Sequence, residues 1–497
     1  MHDMLVIGGG VNGVGIARDA AGRGLDVVLC EKDDIASHTS SASSKLIHGG
    51  LRYLENYEFR LVRESLGERE ILLRAAPHVI WPMRIVLPVL AGMRPAWIIR
   101  IGLFIYDHLA KRAILPGTKS LNLRKTLQGQ PLKKSLLRGF EYSDCWADDS
   151  RLVAINAVDA AERGAAIMTR TECVALDRHL DHWTVTLRDE HGAQSVIKTR
   201  LIVNAAGPWV EKIQGQFGKL LNHSAVRLVK GSHIVTRRLF DGDHGYIFQA
   251  ADGRVIFAMP YEDDYTLIGT TDIEWELDSG PVVISAEETS YLCDAVNEYF
   301  ETPITPDDVI WSYAGIRPLF DDQAETAKVV TRDYVFNLDG DGASHAPILS
   351  VFGGKLTTYR KLAEHAMEKL TSFYPDMGPA WTHDAALPGG DFAIDGVSAL
   401  RAKVMAQYPW LDTAQIARMV QAYGTRIFSI LEAAASAADL GHHYGVGLYD
   451  AEIRYLCATE YAKTGEDILW RRSKLGLKMS HQEIQAVEDR MRQKTPA

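Results

Sequence analysis

One stretch near the start of the chain constrains its fold more than any other. Met4-Leu5-Val6-Ile7 runs directly into Gly8-Gly9-Gly10-Val11-Asn12-Gly13-Val14-Gly15, and an acidic Glu31 follows Val27-Val28-Leu29-Cys30. The order is strand, glycine turn, helix, strand, acid, as in a parallel βαβ unit that binds a dinucleotide. Gly8 permits the tight turn, Gly10 lets backbone approach a pyrophosphate, and Gly13 lets the helix pack closely on the strand. The helix N-terminus offers unpaired N–H groups to phosphate. Glu31 is placed to accept a ribose hydroxyl. Any α/β protein can use a glycine triplet in a tight turn, but here strand, spacing, helix and acid agree.

Two later segments say which dinucleotide. Leu201-Ile202-Val203-Asn204-Ala205-Ala206-Gly207-Pro208-Trp209 reads as a buried strand returning to the nucleotide sheet. Ile348-Leu349-Ser350-Val351-Phe352 leads into Gly353-Gly354-Lys355-Leu356-Thr357-Thr358-Tyr359-Arg360 and a helix through Leu370. A nicotinamide dehydrogenase needs no second glycine turn at a helix start. A flavin does, because its ring carbonyl carries negative charge when reduced and a helix N-terminus stabilises that charge. FAD is therefore the expected cofactor.

These segments resemble the FAD-dependent glycerol-3-phosphate dehydrogenases of the aerobic, quinone-linked type. Ile7 to Gly24 and Gly353 to Ala363 are similar to the family's two signatures. The runs Thr39 to Leu54, Gly139 to Trp146 and Tyr313 to Leu319 also match, so the similarity covers nearly the whole chain. No large insertion of the oxygen-using oxidase branch and no calcium-binding extension of the mitochondrial members is seen. Asp339-Gly340-Asp341-Gly342 lacks the later ligands of a calcium loop and reads as a polar turn.

The fold class expected is α/β: a discontinuous Rossmann-like FAD-binding domain (1–80, 146–210 and 330–385), an antiparallel β-rich substrate domain (81–145 and 211–329) and an all-helical C-terminal domain (386–497). A net charge of −10 argues against a nucleic-acid partner. The five cysteines have no paired spacing, which fits a reducing cytoplasm. No secretory signal precedes the first strand, so export is not expected. His442-His443 has no accompanying ligand cluster, so no metal is expected.

The cofactor wall is expected to comprise Gly8, Gly10, Asn12, Gly13 and Glu31, then Thr39, Ser40, Ser44, Lys45 and Leu46, then Gly207, and finally Gly353, Gly354, Leu356, Thr357 and Thr358. Oxidation of a secondary alcohol further needs a base for the hydroxyl proton and anchors for the rest of the substrate. The resemblance implies glycerol 3-phosphate, and arginine forks suit its phosphate. Arg52, Arg317, Arg332 and Lys355 lie in matching segments, with Tyr53 and Thr270 as further substrate contacts. Arg317 is preferred, since an unpaired guanidinium in Ala314-Gly315-Ile316-Arg317-Pro318 would be costly. His233 is the expected base, titrating near neutral pH, and His48 is its rival. His233, Arg317 and Lys355 form the expected catalytic set.

The other expected partners are a membrane quinone and an anionic lipid surface at the inner face of the cytoplasmic membrane, with a homodimer as the assembly. Trp97 to Tyr106 is too interrupted to span a bilayer; its pattern favours a buried helix over an interfacial one. The basic run Trp470-Arg471-Arg472-Ser473-Lys474 is a second candidate for membrane attachment. Two alternatives stay open: a flavin oxidase or dehydrogenase of an amine or other small anion, and a flavin-dependent redox sensor or interaction module.

Overall fold

The computed structural model describes residues 1–90, 94–215, 226–277, 279–320, 333–342 and 344–493. Strand His2–Ile7 is the centre of an eight-stranded sheet. It pairs in parallel with Val27–Cys30 on one side and Gln194–Asn204 on the other, and the sheet continues in parallel to Ala166–Met168 and Ile348–Phe352. Because successive side chains point to opposite faces, Met4 and Val6 enter one core and Leu5 and Ile7 another. The first core is closed by helices Val11–Gly22, Asp149–Glu162 and Tyr359–Lys369. The second is closed by the hairpin Thr171–Arg178 and Trp183–Asp189, with Trp183 fully buried. Burial on both faces explains why these strands read as unbroken apolar runs.

A second, ten-stranded sheet is antiparallel except where Gly245–Gln249 meets Ile80–Pro88. Its strand Val226–Arg237 pairs with Tyr265–Gly269 and with Val309–Phe320. Ile234 packs with helix Ala286–Asn297, while Val235 packs toward Leu66 and Leu103 on the opposite face. The C-terminal helices, from Val397–Gln407 to His481–Arg492, enclose a core of their own and include a short ribbon, His443–Gly445 with Leu448–Tyr449.

Two expectations change here. Helix Ala96–His108 is not a buried helix: only Leu103 and Tyr106 are buried, while Trp97, Ile101 and Phe104 are 66%, 51% and 55% exposed. Its apolar residues run round too much of the helix for one protein-facing stripe to absorb them. The run Trp470 to Lys474 offers no basic surface either, because Arg472 and Lys474 are buried and bonded within the protein. Among the described residues no helix is long and apolar enough to cross a membrane.

Candidate active site

A single cavity of about 1150 Å³ runs from the first glycine turn to the second sheet. At one end the chain turns at Gly8, whose φ of 114° suits glycine. A Cβ on Gly13 would overlap the Gly8 carbonyl, so Gly13 serves the close approach of helix to turn and does not itself line the cavity. Gly10 precedes the helix with no side-chain cap, and the Val11 N–H donates to Ser40 Oγ at 3.0 Å. Glu31 accepts the Gly9 N–H at 2.7 Å and the Asp33 N–H at 2.9 Å. These bonds fix its carboxylate on the cavity wall with lone pairs to spare.

Asn12 joins the two glycine turns across 341 positions: its Nδ2 donates to the Gly353 carbonyl at 3.0 Å. Its Oδ1 is buried without a hydrogen-bond partner. Gly353 and Gly354 have φ values of 72° and 95°, and a Cβ on Gly354 would lie 2.7 Å from Asn12 Nδ2. Close-approach glycines, a leftover buried acceptor and an anchored acid fit a flavin dinucleotide. Thr39, Ser40, Ser44, Leu46, Gly207, Leu356 and Thr357 line the same cavity. Lys45 and Thr358 do not. Lys45 turns under the loop, where a desolvated ammonium needs a counter-ion and finds Asp149 Oδ1 at 2.7 Å. Thr358 is buried behind the second turn, as the residue that precedes helix Tyr359–Lys369.

The strand register assembles the far end. His233 lies opposite Gly269 on one side and Tyr313 on the other. A Cβ on Gly269 would overlap the imidazole, and the Tyr313 ring stacks on it at 4.8 Å. His233 Nε2 meets Ser44 Oγ at 2.9 Å, while Nδ1 is buried without a partner, which leaves Nε2 as the nitrogen on the cavity side. Burial, and then the charges of Lys45 and Arg317, push His233 down to about 3. The imidazole is thus neutral at pH 7, far from the near-neutral titration expected.

Arg317 is not unpaired: it donates to the Thr271 carbonyl at 2.8 Å and pairs with Asp272 at 2.6 Å. Five N–H donors leave part of its fork for a ligand. Thr270 lines the wall nearby, and a Cβ on Gly231 would lie 2.6 Å from the Arg317 guanidinium and 2.7 Å from Thr270 Oγ1. Lys355 Nζ sits 4.2 Å over the Tyr53 ring, with Arg52 exposed beside it. His48 lines the cavity too. Arg332 lies outside the described residues.

A buried set that sequence reasoning missed holds this end in place. Glu288 accepts from Ser232 Oγ at 2.8 Å and Thr271 Oγ1 at 2.7 Å and pairs with Lys230 at 2.8 Å, bracing the loop that carries Thr270 and Asp272. Its signal was present as Ser285-Ala286-Glu287-Glu288, a capping box that starts helix Ala286–Asn297.

The profile of the family described as FAD dependent oxidoreductase matches residues 3–360, and that of the C-terminal domain of alpha-glycerophosphate oxidase matches residues 380–493. The chain is 52% identical over 480 residues to a glycerol-3-phosphate dehydrogenase of Pseudomonas aeruginosa, covering 97% of this chain and 93% of that one. It is 51% identical to a D-erythritol 1-phosphate dehydrogenase of Brucella abortus, with coverage of 97% and 96%. It is 47% identical to the aerobic glycerol-3-phosphate dehydrogenase of Escherichia coli, with coverage of 96% and 94%. The crystal structure of a glycerol-3-phosphate dehydrogenase from Bacillus halodurans complexed with FAD superposes with a TM-score of 0.76 at 26% identity, over 99% of this chain and 94% of that one. The chain belongs to the FAD-dependent oxidoreductases, within the glycerol-3-phosphate dehydrogenase family.

Proposed function

We propose that the chain oxidises sn-glycerol 3-phosphate to dihydroxyacetone phosphate, with FAD as the first electron acceptor and a membrane quinone as the second. The observation that carries this reading is the continuity of one cavity from the joined glycine turns to a wall bearing Arg317, Lys355 and His233. Bound FAD supplies the acceptor for the hydride from the carbinol carbon. The protein's own residues do the rest. Arg317 and Lys355 hold the phosphate, with Arg52 at the mouth. His233 Nε2, which meets Ser44 Oγ at 2.9 Å, takes the hydroxyl proton once the substrate hydroxyl replaces Ser44 on its single lone pair, and Nδ1 carries the ring hydrogen of the neutral imidazole. A dianionic phosphate beside Arg317 offsets one of the charges that depress the imidazole, so substrate binding makes His233 a stronger base.

Anaerobic addition of glycerol 3-phosphate to the yellow protein should bleach the flavin. An intact spectrum, or bleaching by amino acids instead, would replace this reading with the sensor or the amine oxidase. The Brucella abortus relative supports a second reading, oxidation of D-erythritol 1-phosphate. The two substrates compared by kcat/KM decide between them.

For the membrane, helix Ala96–His108 supports peripheral attachment: Trp97, Ile101 and Phe104 project outward, with Arg100 and Lys111 exposed beside them. Such a face suits a headgroup boundary with anionic lipid.

A further inference from the structure

The loop from Glu31 to Leu46 carries much of the cofactor wall, including Ser37, Thr39, Ser40 and Ser44. It has little regular structure, and near its ends two non-glycine residues, Ala36 and Lys45, hold left-handed φ values of 62° and 55°. Such backbone keeps its shape only when its surroundings over-determine it. The surroundings come from the far end of the sequence. Asp34, 2% exposed, accepts from Arg472 at 2.8 Å through both terminal nitrogens and from Arg471 Nε at 2.7 Å. Arg472 is fully buried and also donates to the Glu460 carbonyl at 2.7 Å. At the other end of the loop, Asp149 takes Lys45 Nζ and Ser43 Oγ, each at 2.7 Å. The adjoining Ser150 hydroxyl donates to the Arg471 carbonyl at 2.6 Å and meets Lys474 Nζ at 2.8 Å. Arg471, Arg472 and Lys474 do not line the large cavity.

We propose that the C-terminal domain, through residues 460–474, clamps both ends of the cofactor loop, so that Arg472 and Arg471 are positioning residues for FAD. This gives the domain a task in FAD binding although none of its described residues lines the cavity. The clamp acts by raising the fraction of chains whose loop is already arranged for the dinucleotide; apparent affinity falls in proportion when that fraction falls. The buried ion pair is suited to this because losing Arg472 removes two of the three hydrogen bonds that Arg471 and Arg472 give the buried Asp34 carboxylate, which favours an open loop over a slightly relaxed one. The inference rests on the FAD reading of the cavity.

The test is FAD affinity of the full-length apoprotein, measured by flavin fluorescence, for wild type, Arg472→Met, Arg472→Lys and a control, Arg418→Met. Arg418 makes a comparable two-point pair with Glu452, at 2.7 Å through each terminal nitrogen, inside the C-terminal domain and away from the loop. Arg472→Met should raise the Kd for FAD about tenfold to a hundredfold, the range for a charge-assisted bond. Arg472→Lys should fall between it and wild type. Arg418→Met should lower the Tm and leave the Kd within about twofold, well inside the effect of one such bond. With FAD saturating, Arg472→Met should keep the wild-type KM for glycerol 3-phosphate. Unchanged affinity in Arg472→Met, or an equal loss in Arg418→Met, overturns the clamp. If wild type itself binds no FAD, the reading of the cavity fails instead. Should Arg472→Met not fold, Asp34→Asn, which keeps the shape and removes the charge, takes its place with the same expected rise in Kd.

Discussion

Gly231→Ala tests the geometry of the anion site with one methyl group. Gly231 sits in strand Val226–Arg237 opposite Gly315, with no left-handed φ, so the backbone accepts alanine. The side chain is what the site cannot accept. The new carbon would lie 2.6 Å from a terminal Arg317 nitrogen, 2.7 Å from Thr270 Oγ1 and 3.2 Å from the centre of the guanidinium. Ordinary contacts need about 3.5 Å or more, so the fork must retreat by roughly 1 Å. A displaced fork forfeits a charge-assisted hydrogen bond, about 1.5 to 3 kcal/mol, or roughly ten- to a hundredfold in binding. The KM for glycerol 3-phosphate should rise by that factor and the preference over unphosphorylated glycerol should shrink alike. FAD content should stay at the wild-type level, because the atoms nearest the new carbon belong to Arg317 and Thr270 and not to either glycine turn. The assay is anaerobic flavin reduction across substrate concentrations. A wild-type KM in Gly231→Ala would refute the argument, since it would mean that the Arg317 fork does not touch the phosphate.

Three further outcomes are expected. His233→Asn should retain FAD and slow flavin reduction by about a hundredfold to ten-thousandfold, as loss of a general base does; an unchanged rate would move the role to His48 or solvent. His78 is fully enclosed and, chiefly through burial and then the Arg151 charge, is pushed from 6.5 down to about 3. The unfolded chain therefore takes a proton below 6.5 that the folded chain refuses until about 3, and stability falls across that window as pH drops. His78→Phe should remove about 1.4 kcal/mol of that loss per pH unit, read as a flatter dependence of Tm on pH between 6 and 4. Replacing Trp97, Ile101 and Phe104 together by serine should abolish sedimentation with anionic liposomes while glycerol 3-phosphate still bleaches the flavin; sedimentation equal to wild type would place the membrane contact elsewhere.

What the sequence made legible was local. A glycine turn, the helix after it and the acid beyond are set within a few dozen residues, and the same holds for Gly353-Gly354-Lys355. Sequence also pointed to His233 and Arg317 through a family resemblance, and both do line the cavity. It did not give their electrostatics. Whether an imidazole is neutral or charged depends on how completely three strands enclose it, and whether Arg317 is paired depends on Asp272, which arrives on a different strand connection. Lys45 shows the same limit in one residue. Its neighbours Ser44 and Leu46 line the cavity, but a left-handed backbone turns the lysine inward to Asp149, and nothing in Ser43-Ser44-Lys45-Leu46 announces that turn.

The deepest gap lies in the charges that never reach the solvent. A basic run such as Trp470 to Lys474 looks like a surface feature because most lysines and arginines are exposed, and only a buried carboxylate makes the other arrangement affordable. That carboxylate, Asp34, stands 438 positions earlier, next to the segment that sequence reading had already assigned to the cofactor. Neither end is informative alone: Asp34 passes for a turn residue and Arg472 for a solvated one. Helix Ala96–His108 is the converse case, where Trp97, Ile101 and Phe104, expected to be covered, are covered by none of the described residues. In both, periodicity identifies the element but only the tertiary partner decides which environment its side chains meet. This difference underlies both proposals: the hidden charges are the ones assigned to the cofactor loop, and the exposed apolar face is the one whose liposome binding the triple serine variant tests.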